Sequence, residues 1–145
     1  MKLTDIQTMW ETDCEINQLN LGDAAASVPK LHAKYLGHLM NAKLQLRKLE
    51  SDYLRLRKNK KEWYNGEMSK EDLDMLGWSP SLKNKPLKTD MEEIIKTDED
   101  VITFQDKYEY LKITVSTLEL IIKSIQSRGW DIKSAISWHT FTQGG

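Results

Sequence analysis

The sequence has few of the residues that cross-link or interrupt a fold. Its 145 residues include one cysteine, three prolines and seven glycines. The lone thiol, Cys14, excludes an internal disulfide and is typical of a reducing compartment. Few glycines and prolines, with 39% hydrophobic and 30% charged residues, favour helices over a β-sandwich or barrel. We therefore predict an all-α fold, with residues 1–145 in a single helical domain.

Long apolar runs and targeting signals are also missing. No stretch of 18 apolar residues occurs, and the N-terminus has no apolar segment behind basic residues. The sequence therefore predicts neither a membrane-spanning helix nor a signal peptide, and we expect a cytoplasmic protein.

The motifs of common enzyme classes are absent as well. There is no glycine-rich phosphate loop ending in Gly-Lys-Ser/Thr and no G-x-G-x-x-G. Cys14, His32, His38 and His139 do not have the spacing of metal ligands. No strand-turn-helix segment offers a place for a hydrolytic triad. We expect no cofactor, no metal and no catalytic residue, and therefore a protein that is not an enzyme.

The net charge of −1 conceals four blocks of alternating sign. Residues 1–29 carry −4, residues 30–65 carry +7, residues 66–110 carry −6 and residues 111–145 carry +2. Such segregation indicates either a localised surface for a polyanion or charge pairing between the blocks.

One long helix is predicted to run through the basic block. A stripe of mostly apolar residues recurs in steps of four and three along it, and Asn65-Gly66 follows as a stop signal. Such a helix, of about 37 residues, is roughly 55 Å long, whereas a compact chain of this size has a radius of gyration of about 15 Å. We therefore expect self-association. The stripe consists of Val28, His32, Tyr35, Leu39, Ala42, Leu46, Leu49, Tyr53, Leu56, Lys60 and Trp63.

A second long helix is predicted from near Asp98 to Gly129, packed against the first, with a short terminal helix beginning at Asp131. Additional apolar residues widen its stripe, so more than one face must be buried. Residues 67–97, between the segments 1–66 and 98–145, are predicted as a connector with a short helix after Ser69 and a further helical turn at 91–96. The stripe of the second helix consists of Val101, Phe104, Tyr108, Leu111, Val115, Leu118, Ile122 and Ile125.

The segment LRLRKNKKEWYNG, residues 54–66, concentrates positive charge: five of the seven residues 55–61 are cationic. A helix C-terminus favours one or two such charges. Lys60 occupies an apolar stripe position, so either its side chain extends to solvent or the stripe opens onto an anion. The aromatic pair Trp63 and Tyr64 beside a cationic track is typical of single-strand binding. Packing against the core is the alternative, and the stripe position of Trp63 favours it.

Three segments of the chain resemble the UvsY-type recombination mediators of T-even-like bacteriophages. They are KLHAKYLGHLMNAKLQLRKLES at 30–51, KNKKEWYNG at 58–66 and IKSIQSRGWDIK at 122–133. The resemblance implies a non-enzymatic protein of the infected host cytoplasm that binds single-stranded DNA. It also implies a role in loading a RecA-like phage recombinase onto DNA covered by the phage single-strand-binding protein.

The resemblance places the family's Lys-x-Arg motif on Lys58 and Lys60. Lysine at the second position keeps the charge and loses the bidentate phosphate contact of arginine. The predicted DNA-binding residues are Arg55, Arg57, Lys58, Lys60, Lys61, Trp63 and Tyr64.

The resemblance further implies a ring-like homo-oligomer of about six to seven subunits, formed by the C-terminal region. The alternative is a non-catalytic helical scaffold whose basic block contacts the acidic blocks of neighbouring chains. The residues expected to mediate oligomerisation are Leu111, Val115, Leu118, Ile121, Ile122, Ile125, Trp130, Ile132, Ile136 and Trp138.

Overall fold

The computed structural model describes residues 1–81 and 85–144 and places six α-helices in them. No strand occurs in these two ranges, and the predicted all-α class is confirmed. Residues 82–84 of the predicted connector lie outside the described residues. The helices are α1 (Leu3–Asp13), α2 (Leu21–Ala26), α3 (Val28–Tyr64), α4 (Lys70–Leu76), α5 (Lys88–Lys96) and α6 (Glu99–Thr142).

The first long helix, α3, forms as its stripe predicts. It has 37 residues, and every residue of the predicted stripe is buried or half-buried. The chain leaves the helix at Gly66, whose φ of +70° lies in the left-handed region. Glycine adopts this conformation without a Cβ clash, so it ends the helix as expected.

The second long helix, α6, is longer than the sequence predicts. It runs for 44 residues without interruption, so the predicted stop at Gly129 and the separate short helix from Asp131 are wrong. Glycine inside a helix costs about 1 kcal/mol relative to alanine. Full burial of an isoleucine contributes about 1.5 to 3 kcal/mol, and Ile132 beyond the glycine is 2% exposed. Burial beyond Gly129 therefore outweighs the helix-breaking tendency of the glycine.

The chain forms two compact units, and both long helices contribute to each of them. Unit 1 consists of Met1–Leu44 and the chain after Leu111, and unit 2 consists of Gln45–Leu111.

Tyr35 lies at the centre of unit 1 and is fully buried. Its ring meets that of Trp10 edge to face, with centroids 5.4 Å apart. The Tyr35 hydroxyl donates to Asp13 Oδ2 at 2.9 Å, and Lys34 Nζ donates to the same oxygen at 2.6 Å. Burial alone would raise the pKa of Asp13, but these hydrogen bonds outweigh it and lower the pKa below its ordinary value. The C-terminus of α1 is thus tied to α3.

Arg128 ties the same terminus to α6 and is itself buried. Its guanidinium donates to the carbonyl oxygens of Asp13 and Cys14 at 3.1 Å and of Glu15 at 2.7 Å. The last carbonyls of a helix have no partners within the helix. Arg128 therefore acts as a C-terminal cap supplied from a distant part of the chain.

Unit 2 has a separate core in which α5 packs beside α3 and α6. Met91, Ile95 and Val101 form its buried centre, and Tyr53, Leu56 and Tyr64 pack against it. The ring of Tyr53 also stacks on Phe104 and Tyr108, at 5.8 Å and 6.3 Å between centroids. These contacts bring the cationic end of α3 beside the first turn of α6.

Candidate nucleic-acid interface

Part of the cationic segment faces solvent along one side of α3. We call Arg47, Arg55, Lys58 and Lys61 the outer face. All four are exposed; the side chain of Arg55 is 73% exposed and that of Arg47 is 78% exposed. Steps of three to four residues through Ser51 place them on one side of the helix. Arg47 is not among the predicted DNA-binding residues, although the same spacing, counted back from Lys58, reaches it.

Two lysines of the outer face have no anionic partner in the described part of the chain. Lys58 and Lys61 make no ion pair there. Arg47 pairs with Glu50 at 3.2 Å and Arg55 with Asp52 at 3.1 Å, each within a single helical turn. Exposed pairs of this kind contribute about 0.3 to 0.5 kcal/mol. The outer face can therefore accept an external anion at little cost.

Lys60 points away from solvent, into unit 2. Its side chain is 7% exposed, and its Nζ lies 2.7 Å from Asp100 Oδ2 and 3.3 Å from Asp98 Oδ2. The same Nζ lies 4.4 Å from the ring centre of Trp78 and 5.3 Å from that of Trp63. Of the two possibilities that its stripe position allowed, the stripe opens onto an anion, and that anion belongs to the same chain.

Asp98 is the centre of this buried group. Its Oδ1 accepts from the backbone N–H groups of Asp100 at 2.9 Å and Val101 at 3.2 Å, which caps the N-terminus of α6. Burial alone would raise the pKa of Asp98. The hydrogen bonds from Tyr64 and from the Val101 amide, with the charge of Lys60, outweigh burial and lower the pKa.

The two predicted stacking residues are held by hydrogen bonds within unit 2. Trp63 Nε1 donates to the carbonyl oxygen of Ser79 at 2.7 Å, and the Tyr64 hydroxyl donates to Asp98 Oδ2 at 2.6 Å. Both side chains are half-buried, and their rings meet edge to face at 4.8 Å. Burial and the hydrogen bond to Asp98 raise the pKa of Tyr64 to about 12. Their geometry favours the packing interpretation over free stacking surfaces.

Arg57 is also engaged within unit 2. It forms an ion pair with Glu92 of α5, and its guanidinium lies 5.9 Å from the ring centre of Tyr53. The structure therefore separates the predicted DNA-binding residues into two groups. Arg55, Lys58 and Lys61 lie on the outer face, whereas Arg57, Lys60, Trp63 and Tyr64 have partners inside unit 2. Their contacts with DNA stay predictions.

The residues predicted to mediate oligomerisation divide in a similar way. Leu111 is half-buried in unit 2. Trp130 and Trp138 are 71% and 64% exposed, and Ile136 is exposed as well. Phe141 is also exposed, and its ring stacks on that of Trp138 with centroids 6.0 Å apart. The others lie in the core of unit 1, namely Val115, Leu118, Ile121, Ile122, Ile125 and Ile132.

Neither a metal site nor a membrane span appears in the described residues. No group of three or more His, Cys, Asp or Glu side chains among residues 1–81 and 85–144 is placed to hold a metal ion. Within the same ranges, no helix is both long enough and apolar enough to cross a bilayer.

The all-helical fold and its exposed cations occur in a chain whose residues 9–145 match a family of recombination, repair and ssDNA binding proteins. That family is UvsY, and this chain belongs to it. Proteins of this family are recombination, repair and ssDNA binding proteins, and the family is not a known enzyme family.

Individual relatives agree with the family assignment along nearly the whole chain. The recombination protein uvsY of Enterobacteria phage T4 is 23% identical over 144 residues, which cover 99% of both chains. A crystal structure of the bacteriophage T4 recombination mediator protein UvsY, lattice type II, matches with a TM-score of 0.84 and 23% identity, over 100% of this chain and 99% of that chain. The lattice type I structure matches with a TM-score of 0.79 and 20% identity, over 95% and 98%. The structural likeness shows a common fold.

Proposed function

We propose that this chain is a recombination mediator that binds single-stranded DNA through the outer face of α3. In this role it helps to load a RecA-like phage recombinase onto DNA that the phage single-strand-binding protein covers. It acts without catalysis of its own, as a ring-like homo-oligomer of about six to seven subunits, in the cytoplasm of an infected bacterium.

The observation that carries the proposal is the exposure of Lys58 and Lys61, which form no ion pair in the described residues. Phosphate neutralisation by such cations supplies most of the affinity of non-specific DNA binding. Membership of a family of recombination, repair and ssDNA binding proteins supports the same ligand.

Oligomerisation would strengthen this modest surface. One outer face offers four cations, and a ring repeats them, so that weak contacts to one strand combine into avidity. A strand held bent and extended on a ring is a poorer lattice for the covering protein, which gives the recombinase access. The exposed aromatic residues Trp130, Trp138 and Phe141 are the candidates for contacts between subunits.

A scaffold without DNA binding is the second candidate. The ion pair of Arg57 with Glu92 and the contacts of Lys60 with Asp98 and Asp100 favour it, since they join the basic and acidic blocks. These pairs lie within one chain and involve no residue of the outer face. They therefore account for two of the five cations between residues 55 and 61.

Binding to a labelled single-stranded oligonucleotide across a salt series tests the DNA-binding proposal. Each phosphate contact contributes about −0.7 to the slope of log affinity against log salt. Lys58→Gln/Lys61→Gln should therefore make the slope shallower by about 1.4. The control Lys30→Gln/Lys123→Gln removes the same charge from exposed positions of unit 1 and should leave the slope unchanged. An intact oligomer that does not bind at low salt would contradict the proposal.

Two further measurements separate the mediator from the scaffold. Sedimentation at about 1 M salt, where the Debye length is about 3 Å, should leave an apolar oligomer intact and should dissolve one held by charge pairs. Loading is measured as recombinase filament formation on DNA covered by single-strand-binding protein. Addition of this chain should speed filament formation, and Lys58→Gln/Lys61→Gln should abolish the acceleration.

A further inference from the structure

Lys60 belongs to the cationic segment by sequence but not by surroundings. Residues 58 and 61 are exposed, whereas Lys60, taken as a whole residue, is only 6% exposed. On an α-helix its side chain points about 160° away from that of Lys58 and about 100° away from that of Lys61. Its ammonium has two carboxylates, of Asp98 and Asp100, within 3.3 Å.

We propose that Lys60 is a positioning residue and not a phosphate ligand: it holds the last turns of α3 against the first turn of α6. This inference rests on the proposed binding of DNA by the outer face. Lys60 fixes this part of α3 to α6 from the side of the helix opposite Lys58.

The surroundings of Lys60 oppose a direct contact with DNA. To reach a phosphate, the ammonium would have to leave both carboxylates and the rings of Trp63 and Trp78. The Asp98 side chain is 7% exposed and would then lack its cationic partner. Removing one partner of a buried ion pair is strongly destabilising, whereas an outer-face lysine can meet a phosphate without breaking an ion pair.

Lysine acetylation of the intact protein, read residue by residue by mass spectrometry, tests the assignment without any substitution. Lys58 and Lys61 should react readily and should be protected by a single-stranded oligonucleotide. Lys60 should react at least about tenfold more slowly than Lys58 and Lys61, because its modification requires local opening of unit 2. The rate of Lys60 should be the same with and without DNA. The inference is overturned if Lys60 reacts as fast as Lys58 and DNA protects it.

A matched pair of substitutions adds an independent readout. Lys58→Met should make the salt slope of DNA binding shallower by about 0.7 and leave the melting temperature unchanged. Lys60→Met should lower the melting temperature and keep the wild-type slope, and a variant too unstable to purify would agree with the same role. A normal melting temperature together with a slope reduced as in Lys58→Met would refute the inference.

The two proposals can fail separately. If the wild-type protein does not bind the oligonucleotide, the proposed function fails. The acetylation rate and the melting temperature still decide whether Lys60 is a buried positioning residue, because neither measurement requires DNA.

Discussion

Substitution of Arg128 by methionine should destabilise unit 1 more than any exposed substitution on α6. The guanidinium supplies three hydrogen bonds to carbonyls at the end of α1, and the residue is 6% exposed. Methionine keeps much of the apolar volume of the side chain and removes every donor. The carbonyl oxygens of Asp13, Cys14 and Glu15 would then lose the partners that Arg128 provides.

The expected magnitude follows from these three contacts. A hydrogen bond from a charged donor contributes about 1.5 to 3 kcal/mol, but the full sum is not realised, because burial of the guanidinium costs hydration. The Nε of Arg128 is buried and has no hydrogen-bond partner among the described residues, which reduces the net gain further. We expect Arg128→Met to lower the free energy of unfolding by about 3 kcal/mol. For a chain of this length, that corresponds to a melting temperature lower by about 6 to 12 °C.

Urea unfolding followed by circular dichroism at a fixed protein concentration measures the effect. The matched control is Lys123→Met, an exposed cation on the same helix, which should change stability by less than about 0.5 kcal/mol. Arg128→Lys should fall between the two, because an ammonium can serve some of the carbonyls but not all three in the same geometry. If Arg128→Met matches Lys123→Met within error, the three hydrogen bonds do not hold α1 in place.

Three further predictions test other parts of the fold. In thermal unfolding, Gly129→Ala should stabilise the protein by about 0.5 to 1 kcal/mol, because residue 129 is helical and has space for a Cβ. Gly66→Ala should destabilise the protein by about the same amount, because the φ of Gly66 is +70°. The pKa of Tyr64 is raised to about 12, so its hydrogen bond to Asp98 stabilises below the unfolded pKa near 10 and is lost as the pH rises to about 12. Tyr64→Phe should therefore show a smaller loss of stability over that range in alkaline melts, and an identical loss would contradict the assignment. Trp138→Asp should reduce the oligomer mass in sedimentation while circular dichroism stays unchanged, and an intact oligomer would exclude Trp138 from the contact between subunits.

The sequence by itself determined the helical class and the two long helices. Apolar residues in steps of three and four lie on one face only if the segment is helical, so burial of each stripe requires a helix. Every predicted stripe residue of α3 and α6 is buried or half-buried. Even the segment 113–117, in which four of the five residues are β-branched, is helical, and the Thr117 hydroxyl donates to the carbonyl oxygen of Ile113 at 2.9 Å. Periodicity over many turns outweighs the propensity of a few residues, because tertiary burial acts on the whole stripe.

Only the tertiary structure decided how the cations of residues 55–61 are used. The sequence shows their charge and spacing, but it cannot show that Asp98 and Asp100 lie beside Lys60, since some 40 residues separate them along the chain. The same limit applies to Gly129, whose stop signal is local, while the burial of Ile132 that overrides it depends on distant contacts. Helical periodicity depends on residues that are close in sequence. The partner of a buried charge depends on packing between segments that are remote in sequence.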